Sequence, residues 1–205
     1  MNILLDKVSK RYGSQWIFRN VDYSFEEGYR YAITGSNGAG KSTLLNILVG
    51  KTPYTKGKIN YLKDDKKIGL DDVYQYFSIA TTSMNLIEEF TLEELVKFHF
   101  RFRKSISMIN TQEVVALLEL ANEKKKFIHN FSSGMRQRLK IGLAVLSDSD
   151  VVVLDEPGAN LDDKSKIWFQ MLINEYIGDR TLIIASNEAQ DYKSCQHILD
   201  LATWK

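Results

Sequence analysis

The chain has 205 residues, enough for one domain with a subdomain but not for a second catalytic module. Apolar residues make up 44% and charged residues 26%, a globular balance that excludes disordered, collagenous and fibrous classes, and no run approaches the ~18 consecutive apolar residues of a membrane span. Lys plus Arg number 27 against 26 Asp plus Glu, so a formal net charge of +1 disfavours a protein that coats nucleic acid or an acidic membrane.

At the amino terminus, Asp6, Lys7 and Lys10 fall within or just after the apolar cluster, so no export signal is expected. Val21, Tyr23 and Phe25 alternate with Asp22, Ser24 and Glu26, the pattern of a half-buried strand, and Tyr31 to Thr34 reads as a strand entering a glycine-rich turn. Leu44, Leu45, Leu48 and Val49 fall at helical spacing over 41–49, so the order is strand, glycine loop, helix. Residues 55–67 read as a solvated hairpin, with Ile59 and Tyr61 on an edge strand and 64–67 as a charged loop; another strand is expected over 73–79.

Thr91 with Glu94, and Asn110 with Glu113, have capping-box form and open two helices, the second striped by Val114, Leu117, Leu118 and Ala121. Phe98, Phe100 and Phe102 follow a strand period, but the capped start favours helix, and residues 91–130 read as a small helical insertion. Thereafter helix (135–146), strand (151–154), helix (163–176, stopped by Gly178) and strand (181–185) alternate. Strands this apolar between helices imply an α/β fold with a parallel sheet covered on both faces.

Gly35-Ser36-Asn37-Gly38-Ala39-Gly40-Lys41-Ser42 fits the phosphate-binding loop: two spaced glycines, then Lys and a hydroxyl residue, between a strand and a helix. Glycines let successive N–H groups turn inward, and the following helix adds the positive end of its dipole. Lys41 would meet the β- and γ-phosphates, and Ser42 would ligate Mg²⁺. The apolar strand 151–154 ends in two carboxylates that diverge, Asp155 suited to Mg²⁺ through water and Glu156 to the attacking water as general base. His99, His129 and His197 have no carboxylate or thiol at ligand spacing and read as surface or packing residues; Cys195, the single cysteine, reads as a small buried hydrophobe.

In this order the motifs resemble the nucleotide-binding domain of ABC (ATP-binding cassette) ATPases over almost the whole chain. Phe131-Ser132-Ser133-Gly134-Met135-Arg136-Gln137-Arg138 is similar to the family's Leu-Ser-Gly-Gly-Gln signature, and Ala159-Asn160-Leu161-Asp162 to its D-loop. Alone, Tyr12 is an ordinary half-exposed strand residue and Ser132-Ser133 a helix cap; the resemblance makes Tyr12 the residue that stacks on adenine. It also implies a P-loop NTPase core with a mostly parallel sheet, an N-terminal antiparallel β subdomain and a helical subdomain at about 84–145, within one domain spanning 1–205. Nucleotide contacts would come from Tyr12, residues 35–42 and Thr43, together with Ser132 and Gly134 acting on the ATP of a second chain in a head-to-tail homodimer or heterodimer. Lys41, Glu156 and Asn187 would be catalytic, with Ser42 and Asp155 holding the metal.

Four departures accompany the resemblance. Ser133 replaces Gly and Met135 replaces Gln in the signature, Asn187 stands where the family has His, and no Gln occupies the Q-loop position after the 73–79 strand, Gln75 coming too early. An amide offers a hydrogen bond to a γ-phosphate but cannot share a proton as imidazole does. The expected function is the ATP-hydrolysing subunit of an ABC transporter, peripheral on the cytoplasmic face beside an integral membrane permease that docks near residues 81–102. The alternatives are a soluble ABC-type ATPase or a weakly hydrolysing regulatory module; no nucleic acid partner is expected.

Overall fold

The computed structural model describes residues 1–205. Strands β1 (Asn2–Tyr12) and β2 (Gln15–Phe25) form a long hairpin turning at Gly13, whose φ of +55° is the left-handed value glycine tolerates. β4 (Lys56–Lys63) pairs antiparallel with β1, Ile3 opposite Tyr61, and β5 (Lys66–Ile68) closes the sheet in the order β2-β1-β4-β5.

This corrects two expectations. Ile59 and Tyr61 sit on an inner strand, because β1 covers the side of β4 that local pattern leaves open, and Tyr61 is only 2% exposed. Residues 66 and 67 are strand rather than loop, since Asp64 and Asp65 alone make the turn, both at positive φ as a two-residue hairpin requires.

The second sheet is parallel throughout: β3 (Arg30–Thr34), β6 (Phe77–Ala80), β7 (Val151–Asp155), β8 (Thr181–Ala185) and β9 (His197–Asp200), in the order β6-β7-β8-β3-β9. β6 starts later than its sequence implies. Val73–Tyr76 is a 3₁₀ turn, and Arg103 donates to the Tyr74 and Gln75 carbonyls, taking acceptors a ladder would need.

Five α-helices complete the chain: α1 (Lys41–Leu48), α2 (Leu92–Phe102), α3 (Thr111–Leu117), α4 (Ser133–Val145) and α5 (Asp163–Tyr176). Both capping boxes form, Thr91 with Glu94 and Asn110 with Glu113. The three phenylalanines lie on α2, where Phe98 and Phe102 are exposed and Phe100 packs on the core.

Alternation along the buried strands divides the core. Val152, Leu154, Leu182 and Ile184 face a cluster of 26 buried residues with α2–α5, while Val151, Val153 and Ile183 face a cluster of 22 with α1 and the antiparallel sheet. One cation ties the ends of α4 and α5. The Arg180 guanidinium donates to the carbonyls of Val145, Ser147, Tyr176 and Ile177, acceptors at or just past the last residues of the two helices. Arg180→Ala strands the Val145, Ser147 and Tyr176 carbonyls, while Ile177 keeps the residue-180 backbone N–H, so a loss of about 3 kcal/mol is expected, read as a lower urea midpoint at unchanged slope.

Candidate active site

β3, β8 and β7 lie side by side, with Ile33 opposite Ala185 and Ala185 opposite Asp155, so the loops leaving their carboxyl ends gather above one edge. After β3 the chain turns through Gly35, Gly38 and Gly40 at φ values of +137°, +78° and +103° into α1. A Cβ on Gly40 would come within 2.3 Å of Ile17 Cγ2, so this glycine is required for space as well as for φ. No side chain caps α1, which leaves its first-turn N–H groups free for an anion. The cavity holds about 360 Å³, bounded by Ile17, Asn37–Thr43 and Glu156.

Lys41 is the hub. Its ammonium group donates to the Gly35 carbonyl at 3.0 Å and to Asn187 Oδ1 at 3.0 Å, and pairs with Glu156 Oε1 at 3.3 Å. Asn187, the first residue but one after β8, also donates from Nδ2 to Asn37 Oδ1 at 2.8 Å, bridging the β8 loop to the phosphate loop. Ser42 donates to Asp155 Oδ1 at 3.1 Å; burial pushes the Asp155 carboxyl up, against the lowering pull of Ser42.

Glu156 leaves β7 at φ +48°, an unfavourable conformation for a side chain with a Cβ. Two contacts hold it: its N–H donates to the Ala185 carbonyl at 2.8 Å, and Gln137 of α4 donates to the Glu156 and Pro157 carbonyls. That turn separates the two carboxylates, Asp155 toward Ser42 and Glu156 toward Lys41. Ser186 Oγ lies 3.2 Å from Glu156 Oε2.

Of the residues expected from sequence, the cavity brings together Asn37, Gly38, Ala39, Gly40, Lys41, Ser42, Thr43 and Glu156, with Asp155 and Asn187 each one hydrogen bond away. Tyr12 stands outside its lining, 53% exposed at the hairpin end, with Lys10 Nζ 4.6 Å from its ring centroid. Ser132 caps α4 by accepting from the Met135 N–H, and Gly134 lies against the Asn160 carbonyl, so both belong to a separate surface beside the 159–162 loop. Ile17 and Gln137 were not anticipated; Ile17 follows Trp16 on a strand whose relation to Gly40 is set only by tertiary packing.

The remaining singled-out residues lie elsewhere. His99 is mostly buried against Ser147 Oγ, with its pKa lowered by that burial to about 4, whereas His129 and His197 are exposed. Cys195 packs partly against the larger core cluster, and burial pushes its thiol up to about 12.

Residues 18–159 match the family model described as ABC transporter. A probable metal transport system ATP-binding protein of Thermotoga maritima is 34% identical over 194 residues, covering 90% of this chain and 75% of that protein. ABC transporter A family member 7 of Dictyostelium discoideum is 28% identical over 84% of this chain but 21% of its own length. The chain spans 35% and 53% of two further curated relatives, import ATP-binding proteins for ribose from Oceanobacillus iheyensis and for Fe(3+) ions from Fusobacterium nucleatum. Among solved structures, a putative ABC transporter ATP-binding protein from Pyrococcus furiosus superposes with a TM-score of 0.82 at 22% identity, covering 100% of both chains. A dimeric ATP-binding cassette in a post-hydrolysis state with ADP and Pi gives 0.81 at 23% identity over 97% of this chain and 93% of that one. These structures share the fold.

Proposed function

The chain belongs to the ABC transporter family, and on that premise we propose that it binds and hydrolyses ATP to drive a transporter whose membrane-spanning subunits are separate chains. The observation that carries this reading is the convergence of Lys41, Ser42, Asp155, Glu156 and Asn187 on one glycine-rich cradle. No helix is long and apolar enough to cross a membrane; on this reading the membrane-spanning part is a permease, and the ATPase domain sits on its cytoplasmic face.

Mg²⁺ fits the donor set, because a hydroxyl and a nearly buried carboxylate 3.1 Å apart are hard oxygen ligands with few protein competitors. Ser42 and Asp155 would hold it, and when bound it supplies positive charge to the β- and γ-phosphate oxygens. Lys41 exchanges its contacts with Glu156 and Asn187 for those phosphates, and the free N–H groups of α1 hold the rest of the chain of phosphates. Released from Lys41, Glu156 takes the proton of the attacking water as its oxygen bonds the γ-phosphorus and the bond to ADP breaks.

Gly35, Ser36 and Thr43 contribute to the same cradle, and Tyr12 receives adenine on the ring face not taken by Lys10. Ser132 and Gly134 act on the ATP of a second chain in a head-to-tail dimer, for which the dimeric cassette of like fold is the supporting comparison. In this reading the chain is a single domain with a helical subdomain at about 84–145, and the permease docks near residues 81–102, on α2 and the segment before it. The test is stoichiometric: ATP titration followed by phosphate release, with and without the membrane protein that co-purifies. Absence of ATP binding overturns the reading.

Asn187 favours slow basal turnover, since its amide steadies Lys41 and Asn37 in place of an imidazole directed at the γ-phosphate. Losing a transition-state donor outright costs ~2.7–4 kcal/mol, and an amide retains part of that, so Asn187→His is expected to raise kcat by about five- to thirtyfold. The ATP dissociation constant should stay nearly unchanged; level or reduced turnover contradicts the role given to Asn187.

A further inference from the structure

Behind the candidate base lies a second carboxylate. Asp191 is 1% exposed, and its Oδ1 has no hydrogen-bond partner. Its Oδ2 accepts from Ser186 Oγ at 2.6 Å and from the Gly158 N–H at 3.2 Å. Gly158 touches it so closely that a Cβ there would sit 2.1 Å from Oδ1. Ser186, itself fully buried, accepts from the Glu188 N–H at 3.0 Å, which fixes its hydroxyl oxygen in place.

The Ser186 hydroxyl has one proton and two carboxylates in reach, Asp191 Oδ2 at 2.6 Å and Glu156 Oε2 at 3.2 Å. A separation of 2.6 Å is that of an O–H donating to an ionised oxygen, whereas 3.2 Å is beyond the usual range for O–H···O. Ser186 therefore donates to Asp191. Glu156 Oε2 is left without a donor, and once Lys41 leaves Oε1 for the phosphates the carboxylate accepts no hydrogen bond, which makes it the better proton acceptor.

We propose that Asp191 is a positioning residue for hydrolysis, which draws the Ser186 hydroxyl proton away from Glu156 and so keeps that carboxylate free to accept from water. The role rests on the reading of Glu156 as the base. Burial of Asp191 is then functional as well as structural: its contact with Gly158 ties the arrangement to the loop that continues through Ala159–Asp162, the segment beside the signature helix.

Asp191→Asn tests this with little change of shape. In either amide orientation the group facing Ser186 is a neutral acceptor or a donor, so the hydroxyl proton passes to the Glu156 carboxylate, the stronger acceptor. The expected result is a kcat about tenfold lower, with KM and the calorimetric Kd for ATP within about twofold of wild type. In a Ser186→Ala background there is no proton to redirect, so adding Asp191→Asn should leave kcat where Ser186→Ala alone puts it. Gly158→Ala, which displaces Asp191 without changing any side-chain donor, should lower kcat in the same way and likewise lose its effect beside Ser186→Ala.

Additive losses in the double variants, or equal losses in kcat and ATP affinity, overturn the proposal in favour of a purely structural carboxylate. If Asp191→Asn does not fold, the Gly158→Ala and Ser186→Ala pair decides alone. A wild-type protein that binds no ATP overturns both this inference and the functional reading; one that turns over ATP with additive variants overturns the inference only.

Discussion

Replacing Glu156 by Gln is expected to leave ATP bound and to lower kcat by a factor of roughly 10²–10⁴, the range a positioned general base supplies. Gln has the same shape and keeps an oxygen for Lys41, but it cannot accept the proton of the attacking water. The backbone at Glu156 is set by the Ala185 carbonyl and by Gln137, neither of which the substitution touches, so the φ of +48° and the loop shape should persist. Loss of the ion pair with Lys41 should tighten rather than weaken ATP binding, because the ammonium group no longer leaves a carboxylate to reach the phosphates. Two measurements check this: single-turnover phosphate release, and light scattering with saturating ATP, where trapped nucleotide should hold two chains together. Turnover within tenfold of wild type would move the base to another group.

What the sequence made legible follows from how local the requirement is. The phosphate loop demands positive φ at fixed offsets before a Lys, so Gly35, Gly38 and Gly40 announce it within eight residues. Likewise, both capping boxes were readable because the reciprocal bonds join residues three apart. Pairings over long separation were not. β4 looked like an edge because its partner β1 is more than fifty residues earlier, and β9 gave no strand signal with only Leu199 buried among its four residues.

The site divides in the same way. Lys41, Ser42, Asp155 and Glu156 were found from motif chemistry, yet the contacts that hold Glu156 in place come from Gln137 on α4 and Ser186 after β8. Asp191 had no signal at all. A carboxylate in a polar segment, Glu188 to Lys193, reads as solvated surface, and only the close approach of Gly158 reveals that it is sealed. Tyr12 and the pair Ser132 and Gly134 remain apart from the cradle because their proposed ligands, adenine and the ATP of a second chain, are what would join them to it.

Lys41→Ala is expected to weaken Mg-ATP binding by about 3 kcal/mol, or roughly two orders of magnitude in Kd, because it deletes charge-assisted hydrogen bonds to two phosphates in a nearly buried place. The free protein already satisfies this ammonium group with the Gly35 carbonyl, Asn187 and Glu156, so binding exchanges the latter two acceptors for phosphate oxygens, and the net gain is smaller than a bare lysine would give. That exchange also predicts a dependence on the neighbour. In Glu156→Gln, Lys41 starts from a weaker set of partners and contributes more to ATP affinity, so Lys41→Ala should cost more in that background than in wild type. Calorimetric titration of the four proteins completes the cycle. Thermal unfolding in the absence of nucleotide should change little for Lys41→Ala, since the helix it opens is held by Leu44, Leu45, Ile47 and Leu48 in the core. Unchanged affinity in Lys41→Ala would mean that the phosphates do not lie in this cradle, and equal losses in both backgrounds would mean that the pairing of Lys41 with Glu156 is not what ATP has to displace.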